Sequence, residues 1–180
     1  MRGNMAMYVA LLRGINVGGN WLKMERVREV CAELGAKNVR TYVQSGNVVF
    51  EAAGSATGWE KKLERRLASE SRLPASVMVR TAAEIAKVVT GNPFLREKGI
   101  DTARLAVTFL QKAASKEGLA ALGARDIGKE RFHSAGREIY LHCPDGFADA
   151  KLYSLEKVLG QRGTTRNWNT VQKLCEMGGE

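Results

Sequence analysis

Cysteine and histidine are scarce: the 180 residues hold three of the first and two of the second. Cys31, Cys143 and Cys175 are odd in number and show no C-x-x-C spacing, which argues against a disulfide framework and a structural zinc site. His133 and His142 stand without a Ser-His-Asp pattern, metal-ligand spacing or paired carboxylates, so no catalytic constellation is readable and no metal is expected. Neither G-x-G-x-x-G nor G-x-x-x-x-G-K-[ST] occurs. No apolar run approaches the ~18 residues that would span a membrane. Arg2 is not followed by the apolar segment and cleavage site of a secretory signal. The expectation is a cytoplasmic protein with no membrane partner.

What is present is an ordinary globular composition, 44% hydrophobic and 26% charged, with a net charge of +9. The chain is long enough for one substantial core or for two small halves. A basic surplus favours anionic partners such as nucleic acid, nucleotides or phosphate. The blander reading is a solvated surface: Lys61, Lys62, Arg65 and Arg66 interleave with Glu60 and Glu64 on one expected helix. Cys143, beside His142, is best read as a strand end leading into a Pro-Asp-Gly turn.

Hydrophobic periodicity orders the elements. Met7 to Leu12 reads as a buried strand; Met24, Val27, Val30, Cys31 and Leu34 recur at helical spacing before Gly35. Val39, Thr41 and Val43 alternate with Arg40, Tyr42 and Gln44, Ser45-Gly46 makes a turn, and Val48 to Phe50 returns. Thr57-Gly-Trp-Glu60 reads as a capping box, Arg72-Leu-Pro74 as a stop, and Ser76 to Arg80 as a strand. The order β-α-β-β-α-β predicts a ferredoxin-like antiparallel sheet with both helices on one face.

Thr81-Ala-Ala-Glu84 is another capping box, and Asn92-Pro93-Phe94 closes its helix. A strand at Arg104 to Leu110, a short helix at Ser115 to Leu122, and a hairpin of Glu130 to Ser134 with Arg137 to His142 follow. A helix carrying Leu152, Leu155, Val158 and Leu159 precedes a last helix starting near Asn167. This half reads β-α-β-β-α with a helix where a fourth strand would stand. The fold class is therefore α+β: a ferredoxin-like half at residues 7–80 and a second, related α+β half at 81–177 packed against it.

Three polar segments carry the functional signal. Arg13-Gly-Ile-Asn-Val-Gly-Gly-Asn20 lies between a strand and a helix, where glycines let backbone amides approach a phosphate. The alternative is a sharp bend in which Asn16 and Asn20 bond local backbone. Tyr42-Val-Gln-Ser-Gly-Asn47 is an ordinary hairpin signal beside a sheet face carrying Arg40, Tyr42 and Gln44. Gly163-Thr-Thr-Arg-Asn-Trp-Asn169 opens the final helix, with Thr164 or Thr165 as cap, Arg166 and Asn167 flanking its N-terminus, and Trp168 anchoring it to the core.

Tyr8-Val-Ala-Leu-Leu-Arg-Gly-Ile-Asn-Val-Gly-Gly19, Val39 to Phe50, Asn92-Pro-Phe94 and Arg166-Asn-Trp-Asn-Thr-Val171 closely resemble the domain-of-unknown-function 1697 family of mainly bacterial proteins. The likeness runs from about Met7 to Met177. It implies an α+β fold with a ferredoxin-like portion, and no established activity, cofactor or catalytic residue. Members often read Ser-Lys-Leu where this chain has Ala150-Lys-Leu152.

The leading expectation is a binding module for a small anionic ligand, phosphate or nucleotide, in a polar cleft between the halves. Arg13, Asn16, Gly18, Gly19, Gln44, Ser45, Asn47, Arg166 and Asn167 would line it. One alternative is RNA or single-stranded nucleic-acid binding on an open sheet face, with Tyr8 placed as a stacking aromatic. Another is an enzyme of unrecognised type using the same cleft.

Overall fold

A computed structural model describes residues 4–14, 22–43, 45–70 and 75–179. The chain divides into two compact units, Met1–Lys87 with Leu174–Glu180, and Val88–Lys173.

The first unit runs β1 (Ala6–Arg13), α1 (Met24–Glu33), β2 (Lys37–Tyr42), β3 (Asn47–Ala52), α2 (Ala56–Glu70) and β4 (Ser76–Thr81). The strands form one antiparallel sheet in the order β2-β3-β1-β4. Side chains alternate across a strand, so Tyr8, Ala10 and Leu12 enter one core with Val48, Phe50, Val77 and Val79. Val27, Val30 and Cys31 of α1 and Trp59, Leu63 and Leu67 of α2 fill that same core. Their helical spacing is the apolar stripe that folds each helix onto the sheet.

The cap of α2 is not the expected one. Ser55 accepts the N–H of Gly58 at 3.1 Å, two residues before Thr57. Glu60 takes no part in a capping box, because its carboxylate reaches β4 and accepts the N–H of Val79 at 2.9 Å. The stop at Arg72-Leu-Pro74 lies outside the described residues; α2 ends at Glu70. Thr81 and Glu84 do form the expected reciprocal cap: Glu84 Oε2 accepts Thr81 N–H at 2.8 Å and Thr81 Oγ1 accepts Glu84 N–H at 3.1 Å. That pair starts α3 (Ala82–Thr90).

The second unit contains β5 (Leu105–Leu110), α4 (Lys116–Gly123), β6 (Arg131–Ala135), β7 (Glu138–His142), α5 (Glu156–Leu159) and β8 (Gly163–Asn167). Its sheet is antiparallel in the order β6-β7-β5-β8, the order of the first unit repeated. Ser115 caps α4 by accepting Gly118 N–H at 3.0 Å. Ala106, Leu110, Ile139 and Leu141 meet Leu122, Leu152, Leu155 and Leu159 in its core.

Two expectations are corrected here. The helix expected from Leu152 is a single turn, Glu156–Leu159, because Glu130 instead binds the N–H groups of Lys151 and Leu152, each at 2.8 Å. A fourth strand does stand in this unit. Gly163 to Asn167 pairs with β5, from Ala106↔Asn167 to Leu110↔Gly163. A Cβ at Gly163 would lie 3.0 Å from Leu110 Cδ2 and 3.2 Å from the Phe109 carbonyl, so this strand crosses β5 where little but glycine fits. Thr164 and Thr165 are polar, which invited a capping role, but they are also β-branched and suit a ladder. The last helix, α6, is Trp168–Gly179.

Candidate functional site

The end of β1 that precedes the first polar segment lies against the second polar segment. Leu11 pairs with Asn47, and Leu12 N–H donates to the Gly46 carbonyl at 2.8 Å. Arg13 is exposed at the last paired position of β1, opposite Ser76 of β4. Asn47 is fully buried; its Nδ2 donates to the Tyr42 carbonyl at 3.0 Å and to Ser45 Oγ at 2.9 Å. One side-chain amide therefore ties both shoulders of the turn together. Within it Gly46 takes φ +79°, which glycine adopts freely. Val43 takes φ +52° while 53% exposed. A β-branched residue in the left-handed region is strained, and burial offers it no compensation. Asn16, Gly18, Gly19 and Gln44 lie outside the described residues. The N-cap of α1, Lys23, provides no side-chain hydrogen bond.

The third segment differs from its expectation. Arg166 lies within β8, opposite Val107, and is only 8% exposed rather than solvated at a helix terminus. Its Nη1 donates to Thr164 Oγ1 at 2.6 Å and to the Thr165 carbonyl at 3.0 Å. Burial draws its pKa down to about 10, against a smaller opposing influence from Tyr153, so it stays cationic at neutral pH. Thr165 bonds Thr108 hydroxyl to hydroxyl at 2.8 Å instead of capping α6. Asn167 is the cap: its Oδ1 accepts Thr170 N–H at 2.9 Å. Trp168 is buried, as expected of an anchor, with an indole N–H that has no partner among the described residues.

The sheet surface that an RNA-stacking reading requires is not arranged for it. Tyr8 is inside the helix-covered core, 5.7 Å from Phe50 between ring centres, and its hydroxyl donates to the Gly54 carbonyl at 2.5 Å. On the other face Val9, Leu11, Val49 and Met78 are fully buried.

Cys31 and Cys143 are buried, and desolvation pushes both thiols up to about 12, far from the thiolate state. His142 Nδ1 accepts from Arg131 Nη2 at 3.1 Å, since a guanidinium can only donate. Burial first, then the Arg131 charge, holds this imidazole below its ordinary pKa. Arg131 also binds Glu97 through two bonds of 3.1 and 2.8 Å and covers the Phe94 ring at 5.0 Å. Glu97 and Arg131 are 34 residues apart, so no local pattern announces the pair. Among the described residues no group of three or more His, Cys, Asp and Glu is placed to hold a metal.

Two antiparallel four-stranded sheets of one strand order, with their helices, define an α+β protein built from a repeated unit. The chain belongs to the family described as protein of unknown function (DUF1697), whose model matches residues 5–140. It is similar in fold to the conserved bacterial protein SP0830 from Streptococcus pneumoniae, at 23% identity and a TM-score of 0.77, over 97% of this chain and 99% of that one. No curated protein is significantly similar in sequence. Among the described residues no helix is long and apolar enough to cross a membrane.

Proposed function

We propose that the chain binds a small anionic ligand, phosphate or a nucleotide, at the end of the first sheet where β1 gives way to the glycine-rich segment. The supporting observation is the junction itself. Leu12 N–H on the Gly46 carbonyl holds the end of β1, one residue before exposed Arg13, against the Asn47-braced turn. Arg13 supplies the charge and the glycine-rich amides supply donors. Strain at Val43 is what a turn shaped for a ligand would retain. Arg166 and Asn167 bond within their own strand and helix and are kept out of this proposal. We also read both units as ferredoxin-like, from the β-α-β-β-α-β order and the shared strand order.

Calorimetric titration with inorganic phosphate and with nucleotides tests the binding. Arg13→Ala should weaken it by roughly 1.5–3 kcal/mol, the scale of a charge-assisted hydrogen bond. Val43→Gly should weaken it too while raising stability by about 1 kcal/mol, because glycine removes the left-handed penalty. Absence of anion binding by the wild-type chain, or an Arg13→Ala variant that binds equally well, rejects the site.

A further inference from the structure

The six charges at positions 60–66 are interleaved along the sequence, each glutamate followed by cations, yet the fold separates them. Glu60 and Glu64 both turn to the edge of the sheet, where they accept the N–H groups of Val79 and Val77 at 2.9 and 3.0 Å. They are one helical turn apart, about 6 Å, which matches the two-residue advance of β4. Consumed there, they leave Lys61, Lys62, Arg65 and Arg66 on the outer side of α2 without them. Those four cations, with Leu34 and Ser69, line a groove of about 390 Å³. Glu33 and Glu70 hold Arg66. Lys61, Lys62 and Arg65 have no carboxylate partner among the described residues, and Lys62 lies over the Trp59 ring at 5.0 Å. The walls are aliphatic stems with cationic tips, on a chain whose net charge is +9.

We infer that this groove binds the sugar-phosphate backbone of a single-stranded nucleic acid. Charge complementarity names an anion, and the concave shape with two i, i+4 rows of cations, Lys61 with Arg65 and Lys62 with Arg66, fits an extended polyanion. A membrane surface fits less well. The outer side of α2 has no exposed large apolar residue to insert, those among the described residues being Met5, Val43, Leu95 and Tyr153. An acidic peptide fits less well, because the described lining has no aromatic residue to anchor one. Among the described residues the lining holds no aromatic side chain for base stacking, the neighbouring Trp59 being 2% exposed, and Ser69 is its one neutral polar group. Binding is therefore electrostatic and indifferent to sequence. The groove shares no residue with the small-ligand site, so the two readings stand or fall separately.

Fluorescence anisotropy with labelled single-stranded 20-mers of several sequences, run from 50 to 200 mM salt, tests this. Three uncompensated cations predict an affinity that falls about 20-fold over that range, from a slope of about −0.7 per phosphate neutralised. Lys61→Ala with Arg65→Ala should cut that fall to about 3-fold. Both side chains are exposed, so the variant should melt like the wild type. A control carrying Lys116→Ala and Lys129→Ala, exposed lysines of the second unit, makes the same change in net charge and should bind as the wild type does. Absence of binding, equal losses in variant and control, strong sequence preference, or tighter binding to anionic lipid vesicles or polyglutamate would overturn the proposal.

Discussion

Arg80 and Arg166 occupy equivalent positions in the two repeats of this chain. Each lies on the fourth strand of its unit, opposite a central-strand valine, Val9 for one and Val107 for the other. Each is buried, at 0% and 8% exposure, and each donates Nη1 to the carbonyl of the residue before it, at 3.1 and 3.0 Å. The shared placement follows from the shared strand order, which puts the same edge strand against the same central strand twice. The surroundings then diverge. Arg80 has Glu60 at 3.9 Å, whereas Arg166 bonds the hydroxyl of Thr164.

That divergence makes Glu60 a strong stability determinant of the first unit. Glu60→Ala strands the buried N–H of Val79, at roughly 1–3 kcal/mol, and removes the counter-charge of Arg80 from a fully buried site, which adds to the loss. Glu60→Gln keeps an acceptor for Val79 and should cost less than Glu60→Ala. Urea unfolding of the three proteins measures the ranking. Equal stability of Glu60→Ala and wild type would show that β4 needs no partner from α2.

A surface ion network joins α1 to α2. Arg26 binds Glu70 at 2.8 and 3.0 Å and Glu33 at 2.8 Å, and Arg66 binds Glu33 at 2.8 Å and also Glu70. Bonds from Arg26, then from Arg66, pull the Glu70 carboxyl down from 4.5 to about 2. Glu33 is lowered by the same two arginines. A carboxyl with a depressed folded pKa stabilises the fold fully above its unfolded pKa and loses that contribution as pH falls through the folded value. Stability should therefore decline between about pH 4.5 and pH 2. Thermal melts across that window should show a shallower decline for Glu70→Gln than for the wild type, with the difference shrinking at high salt.

The element order of the first unit was legible because periodicity is a local property. The reciprocal cap of Thr81 with Glu84 was readable for the same reason: both partners lie within one turn. Misreadings cluster where a side chain acts at a distance. Glu60 looked like the end of a capping box and part of a solvated face with its lysine neighbours, but its hydrogen bond is to Val79, 19 residues away. Gly163 to Asn167 looked like a helix entry because Thr, Arg and Asn are common there, and only pairing with β5 makes it a strand. Of the candidate site, the polarity of the segments around Arg13 and Asn47 was legible in the sequence. Burial of Arg166 was not, since no local pattern distinguishes a buried strand arginine from a solvated one.

Burial reverses what Arg166→Ala should do. A solvated arginine contributes little to folding, but this one is 8% exposed and carries two short hydrogen bonds within β8. Removal leaves Thr164 Oγ1 and a strand carbonyl short of a donor and opens space opposite Val107. Hydrogen bonds to a charged group are worth roughly 1.5–3 kcal/mol, and the variant should lose stability on that scale. Arg166→Lys keeps the charge but not the planar fork, so it should recover part of the loss. Arg166→Met separates packing from hydrogen bonding, since it restores apolar volume without a donor. Chemical denaturation of the four proteins gives the order wild type, Lys, Met, Ala if the hydrogen bonds dominate. A methionine variant more stable than the wild type would mean that desolvating the guanidinium outweighs its bonds in the fold, leaving the arginine in place for a task other than stability.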